Sequence, residues 1–540
     1  AIRAEMLPPD ADPDDIRYPT LRWNTSDGAG YSAIGPSLAD PRTGEILDAN
    51  SLYEANMVLG FRRSWRNLVE PPRAVDLALG VIDGDAEAGL EALENHHFMA
   101  GVMSDQGTFL RALLAARGDI APDEALPDEF VGEALRWVVM HEIGHTLGMR
   151  HNFRSSSDTP LERLHDRDWS RERGLVSSVM DYHAPNVAPD PRDQGHFYSP
   201  GVGSADRWKI AFAYTADPQE AERLARLAET DGRTYGSDED NSGSGAMDPT
   251  VNTYDLSADP LAWGRERTAL VARLWERLDE TVLTDNSRYA DLTAAFRSLL
   301  GQYGQALAPA VKYIGGSYVY RTRPGDPGDR GPFVPVDRAV QLDALRFLSE
   351  RAFGEDAFEL PRETLARFGP QRWNHWGYTN TYDGRIDFPF HAEIAQVQAR
   401  YLSQLLNPYR LARMRDMELR HGAGNVLSIP ELMSELTRAI WAELWRPQGG
   451  SIDAQRRDLQ RAHLERMTAL VVAPPEQLPG DARAVARAQL RDLDRRIAAA
   501  LQRPGTPDAY TRAHLAESRD LIDRALDAGL QLQLSGEGGS

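Results

Sequence analysis

The rhythm of apolar and polar residues changes several times along the chain. Up to about residue 125, short β-like runs alternate with turns, as over 18–23 and over 33–38 before the turn signal Asp40-Pro41-Arg42-Thr43-Gly44, and this predicts a mixed sheet region. From Asp128 the period becomes helical: Val131, Ala134, Val138, His141 and His145 recur at steps of three and four, which predicts one helix over 128–148 with Asp128 as N-cap and Gly148 as stop. A polar stretch over 152–178 follows. A short helix is then expected over 204–214, with Trp208, Ile210, Ala211 and Phe212 on its apolar side. The Gly-, Ser- and Asp-rich residues 230–250 read as a long surface loop or boundary. Beyond them helical spacing dominates, over 261–284, 289–311, 338–353, 392–406, 429–444, 453–471, 481–502 and 507–533. One hairpin interrupts this series, 316–321 with 333–336, and no fixed-period repeat points to a solenoid.

This succession predicts an α+β fold: residues 1–225 form a domain of mixed twisted sheet plus a long helix, 226–260 a loop or boundary, and 261–534 a mainly α-helical C-terminal domain with a hairpin near 316–336. The tail 535–540 is expected to be disordered. With 540 residues, 41% of them hydrophobic, the chain can bury at least one full core. It carries 81 Asp plus Glu against 60 Lys plus Arg, a net charge of -21. That charge repels phosphate backbones and anionic leaflets, so nucleic acid and membrane partners are disfavoured. The excess acid is concentrated in the first 150 residues and favours basic substrates by complementary charge. No stretch is apolar enough for a membrane helix. There is no Cys, which removes disulfides, thiolate metal sites and Cys nucleophiles and leaves His and carboxylates as metal ligands.

The chemistry concentrates in residues 141–152, His-Glu-Ile-Gly-His-Thr-Leu-Gly-Met-Arg-His-Asn. His141 and His145 lie four apart on one helical face, so their imidazoles can converge on one ion, while Glu142, rotated by about 100°, can approach a water there. Gly148 lets the chain turn so that His151 supplies a third nitrogen. Three neutral nitrogens and an open position suit one catalytic zinc.

This run resembles the metzincin metalloproteases, whose motif is His-Glu-x-x-His-x-x-Gly-x-x-His followed by a Met-turn. Downstream, Ser177-Ser178-Val179-Met180-Asp181-Tyr182 is similar to that turn, over 177–182. Together with Asp40-Pro41-Arg42-Thr43-Gly44-Glu45-Ile46 and Arg372-Trp373-Asn374-His375-Trp376-Gly377, it resembles the large bacterial secreted zinc metalloproteases with a long helical C-terminal region. The resemblance implies a metzincin-like catalytic domain in which Met180 floors the three imidazoles, with a protein or peptide substrate and a secreted, periplasmic or cell-envelope location. The first fifteen residues have neither a basic region nor an apolar run, so no signal peptide is expected in this chain and a trimmed mature form is. One departure is Asn152, where better-known subfamilies carry Glu, Ser, Asp or Pro, so their substrate preferences do not transfer. Tyr182 stands where some metzincins place a Tyr that reaches the reaction oxyanion; the competing expectation is a packed aromatic. Asp181 is expected to hydrogen-bond within the turn rather than ligate.

Asp238, Asp240, Asn241 and Ser242 before Gly243 look like the start of a Ca2+ loop, but the Glu that completes an EF-hand is missing, which favours a solvated acidic loop. His96, His97, His165, His183, His196 and His375 lack ligand spacing and are expected to be structural. The sequence carries no signal for oligomeric state. The main expectation is a zinc endopeptidase with Glu142 as general base and acid. The rivals are a non-catalytic zinc-containing scaffold and a zinc hydrolase of non-peptide amides or esters.

Overall fold

Short, half-polar strands and long amphipathic helices segregate along the chain, as a computed structural model of the protein shows. It describes residues 3–25, 33–55, 58, 97–121, 124–243, 246–370, 385–447, 450–503 and 508–528. Strands β1 (Leu21–Asn24), β2 (Ala33–Ile34), β3 (Ser37–Ala39), β4 (Ile46–Ala49) and β5 (Ser51–Glu54) come first. They form a three-stranded sheet in the order β1-β5-β2, with β1 parallel and β2 antiparallel to β5, and a separate β3-β4 ribbon. The sheet region therefore ends sooner than its composition suggested. Helix α1 (His97–Arg117) occupies its last part, and Phe109, Leu110, Ala112 and Leu113 of that helix are buried on several sides. A helix that is apolar nearly all round shows no single stripe, which hides its period.

Helix α2 (Asp128–Thr146) is the expected long helix, but Pro127 is its N-cap and Asp128 its first residue. Proline suits the position because the first N–H groups of a helix need no intrahelical acceptor. The chain then runs through α3 (Arg167–Arg173), α4 (Ser204–Tyr214), α5 (Pro218–Ala225) and the single turn α6 (Asp238–Asn241). Residues 230–250, expected at the surface, are partly inside: Ser237, Asn241 and Asp248 are buried. Their polar side chains have protein partners, so the composition of a loop is compatible with burial here.

The helical part comprises α7 (Pro260–Glu276), α8 (Leu278–Val282), α9 (Tyr289–Tyr313), the hairpin β6 (Ser317–Val319) and β7 (Phe333–Pro335), α10 (Arg338–Arg351), α11 (Arg362–Leu365), α12 (Phe390–Leu405), α13 (Pro408–His421), α14 (Ile429–Ile440), α15 (Ala454–Val472), α16 (Gly480–Leu501) and α17 (Ala509–Asp527). Helix α13 had no sequence expectation. Its buried apolar residues are a narrow stripe of Leu411, Met414 and Met417 among charged residues, with Arg410 buried beside them and Asn407 capping its first turn. Helix α9 is the central element and packs against α1, α7 and α10, while α15 packs against α12, α16 and α17. One apolar cluster runs from Ala33 through Trp137, Val138, Phe153 and Met180 to Leu299, Leu402, Leu464 and Ile522, so α2 and the C-terminal helices share a continuous core. No helix among the described residues is long and apolar enough to cross a membrane.

Candidate metal centre

Helix α2 presents His141 and His145 one turn apart, and then stops. Leu147 closes it, Gly148 adopts φ +81°, and Met149 N reaches back to Gly144 O at 3.0 Å. A left-handed residue at this point reverses the chain at little cost only if it is glycine. The reversal brings His151 beside the helix: ring centroids lie 4.8 Å apart for His141 and His145, 5.4 Å for His141 and His151, and 4.9 Å for His145 and His151. One nitrogen of each ring lies within 4.8 Å of the other two, and this is the one such group of potential metal ligands among the described residues.

The chemistry of the donors fits a metal. His141 Nδ1 faces Val179 O at 2.7 Å, His145 Nδ1 faces Met149 O at 3.0 Å, and His151 Nδ1 faces Asp238 Oδ1 at 2.8 Å. A carbonyl and a carboxylate can only accept, so each Nδ1 carries the proton and each Nε2 keeps its lone pair. Nε2 of His141 and of His151 is buried with no hydrogen-bond partner among the described residues. Burial, followed by the neighbouring rings of His145 and His151, pushes the His141 pKa well below its ordinary value and keeps the imidazole neutral. Neutral, inward-facing nitrogens are what a divalent cation requires.

Beneath the rings lies the turn at 177–182. Met180 is fully buried, and its sulfur occupies the space that a side chain at Gly144 would fill: a Cβ there would sit 2.2 Å from Met180 Sδ. The glycine inside the His-Glu-Ile-Gly-His run thus admits the methionine against the helix. Asn152 ties this turn to the rest of the site. Its N–H donates to Met180 O at 2.9 Å, its Nδ2 to Thr234 O at 3.0 Å, and its Oδ1 accepts from Gly236 N at 3.0 Å. Asp181 Oδ2 accepts from Ser155 Oγ and Ser156 N, both at 2.8 Å, and burial pushes this carboxyl well above its usual range. It is a hydrogen-bonding residue of the turn and does not belong to the group of three histidines.

Glu142 is 2% exposed, and its carboxylate has no hydrogen-bond partner among the described residues. Burial raises it to about 8. The exit of β2 lies tight against its backbone, since a Cβ on Gly35 would come 2.2 Å from Glu142 O. Tyr182 stacks on His141, with centroids 5.1 Å apart, and lies 4.7 Å from the His151 ring. Behind it stands Tyr254, whose N–H donates to Tyr182 O at 2.6 Å and whose φ of +61° is strained for a non-glycine residue.

Three supporting carboxylates had not been singled out for these roles. Asp206 of α4 binds the 178–179 backbone and hydroxyl, Glu133 of α2 accepts from Phe197 N at 2.6 Å and Tyr198 N at 3.2 Å, and Asp238 meets His151. The only sequence signal was the acidic run at 238–240. In place of a solvated loop it has protein partners: Glu239 pairs with Arg150 at 2.7 Å, Asp240 with Arg321 at 2.6 Å, and Asn241 Oδ1 accepts from Lys312 Nζ at 2.8 Å. His183 is buried against Trp137 and Tyr198, and His196 Nδ1 meets Ser170 Oγ at 2.7 Å. His96, the motif at 372–377 with His375, and the tail 535–540 lie outside the described residues, as does the side chain of His97.

Residues 123–448 match the sequence model of a family described as Met-zincin, which covers more than half of the chain. Neither the curated proteins nor the solved structures include a match.

Proposed function

We propose, for a chain that belongs to the Met-zincin family of zinc metallopeptidases, an endopeptidase activity centred on Glu142. The observation that carries this reading is a buried carboxylate without a hydrogen-bond partner among the described residues, on the same helix as His141 and His145, whose Nδ1 atoms, like that of His151, are already engaged. A purely structural metal site has no use for such a base. His141, His145 and His151 would hold zinc through Nε2, and the ion supplies the Lewis acidity that makes water acidic near neutral pH and polarises a carbonyl. Glu142 would take the proton of the attacking water and return it to the nitrogen of the leaving amine. Tyr182, whose ring is stacked on His141, would offer its phenol hydroxyl as a donor to the carbonyl oxygen when it gains charge. Met180 and Asn152 keep the floor and the third histidine in register. The reading includes export to the periplasm or exterior, checked by cell fractionation.

Glu142→Gln tests it. The variant should retain about one zinc per chain by elemental analysis while cleavage of an unbiased peptide library falls to background, as it should for the wild type treated with chelator. Cleavage by the variant at the wild-type rate would overturn the mechanism. Products from ester or non-peptide amide substrates alone would favour a different hydrolase.

A further inference from the structure

Resting on the reading of His151 as a zinc ligand, we infer that Asp238 is a positioning residue for that histidine and that the C-terminal helical region holds it in place. His141 and His145 each face a neutral carbonyl, whereas His151 faces a carboxylate, at 2.8 Å, from a residue 87 positions further along the chain. A carboxylate at Nδ1 fixes the tautomer and raises the basicity of the opposite nitrogen, and its charge offsets part of that brought by a divalent cation. Arg150 does not compete for this role, since its nearest approach to Asp238 is 3.6 Å and it is engaged more closely with Glu239, at 2.7 Å.

The turn that carries Asp238 is held on several sides. Asp240 Oδ2 accepts from Ser237 N at 2.9 Å, and Asp238 Oδ2 from Ser237 Oγ at 3.1 Å. Arg321, just past β6, bonds Asp240 Oδ2 at 2.6 Å and Glu239 Oε1 at 3.1 Å. From α9 the buried ammonium of Lys312 donates to Asn241 Oδ1 at 2.8 Å, Asn241 O at 3.2 Å and Val251 O at 2.5 Å. A buried ammonium is costly unless its protons are used, and two of these three bonds go to the last residue of α6. The central helix of the C-terminal region is therefore committed to placing the third histidine's partner, which gives that region a task at the metal site.

The test is zinc affinity, measured by titrating the metal-free protein against a competing chromogenic chelator, with the melting temperature of each metal-free variant as the control for folding. Asp238→Ala should weaken zinc binding by roughly ten- to a hundredfold. Asp238→Asn should fall between it and the wild type, because the amide oxygen can still accept the Nδ1 proton but carries no charge. Lys312→Met, which keeps the length and loses the three bonds, should weaken binding by roughly two- to thirtyfold. Wild-type affinity in a folded Asp238→Ala or Asp238→Asn protein would overturn the role of Asp238. Wild-type affinity in Lys312→Met would overturn the role of the helical region. Should Lys312→Met fail to fold, Arg321→Gln takes its place with the same expectation and the same refuting result. Failure of the wild type itself to bind zinc would refute the metallopeptidase reading instead, so the two failures are distinguishable.

Discussion

Loss of Asp206 should loosen the turn beneath the histidines and weaken the metal site through it. Asp206 is 2% exposed; its Oδ1 accepts from Ser178 Oγ at 2.5 Å, and its Oδ2 from Val179 N and Gly203 N, each at 2.9 Å. Asp206→Ala leaves two backbone N–H groups and a hydroxyl without that acceptor. The hydroxyl can rotate to another partner, but the two amides are fixed, and each costs about 1–3 kcal/mol when buried unpaired. The expected loss is therefore about 2–6 kcal/mol. If the 540 residues unfold in one transition, an unfolding entropy of about 2.1 cal/mol/K per residue makes this a fall in Tm of about 2–5 °C. A second effect reaches the metal. Val179 is held through its N–H by Asp206, and through its carbonyl it orients His141 at 2.7 Å. Releasing one side of that residue should lower zinc affinity by about tenfold, the low end for loss of a group that orients a ligand. Calorimetry of the metal-free variant and a chelator-competition titration read the two effects separately. A Tm change below about 1 °C together with wild-type zinc affinity would show that the bond from Asn152 to Met180 O suffices to hold the turn.

Two further outcomes follow from the same geometry. Tyr182→Phe keeps the ring stacked on His141 and deletes only the hydroxyl, so kcat should fall by roughly a hundredfold or more with KM and zinc content nearly unchanged; unaltered kcat would make Tyr182 a packing residue. Glu229 is buried beside Arg154, with Asp248 and Asp158 also near, and burial outweighs the guanidinium to raise its carboxyl from 4.5 to about 7. The folded state thus binds the proton more tightly than the unfolded one, and stability falls as pH rises from about 4.5 to about 7, by at most about 1.4 kcal/mol per pH unit. Glu229→Gln, which has no such proton to lose, should gain Tm relative to the wild type across that window; a difference constant with pH would refute the assignment.

The metal site was legible in the sequence where its parts are local and obscure where they are not. His141, Glu142 and His145 announce themselves because one helical turn fixes their relation, and Gly148 because a left-handed stop is needed before His151 can return. Nothing local marks Asp206 or Lys312, and the acidic run marked Asp238 only as the start of a Ca2+ loop; the three reach the centre from separate elements and act on atoms that have no sequence signature, such as the amide of Val179, one nitrogen of an imidazole or the carbonyl of Val251. The acidic run at 238–240 shows how composition misleads: the same Asp, Ser and Gly content that suits a solvated loop also suits a part-buried, ion-paired turn once Arg150, Arg321 and Lys312 arrive to partner it. Asn152 makes the converse point. As a departure from familiar metzincin patterns it said only which substrate preferences not to borrow, yet its three bonds join Met180 to the 234–236 backbone and so to the segment that delivers Asp238. The third histidine and its carboxylate are thereby fixed from both sides by one buried amide, a relation that depends on the fold bringing residues 152, 180 and 236 together and that no spacing between them could disclose.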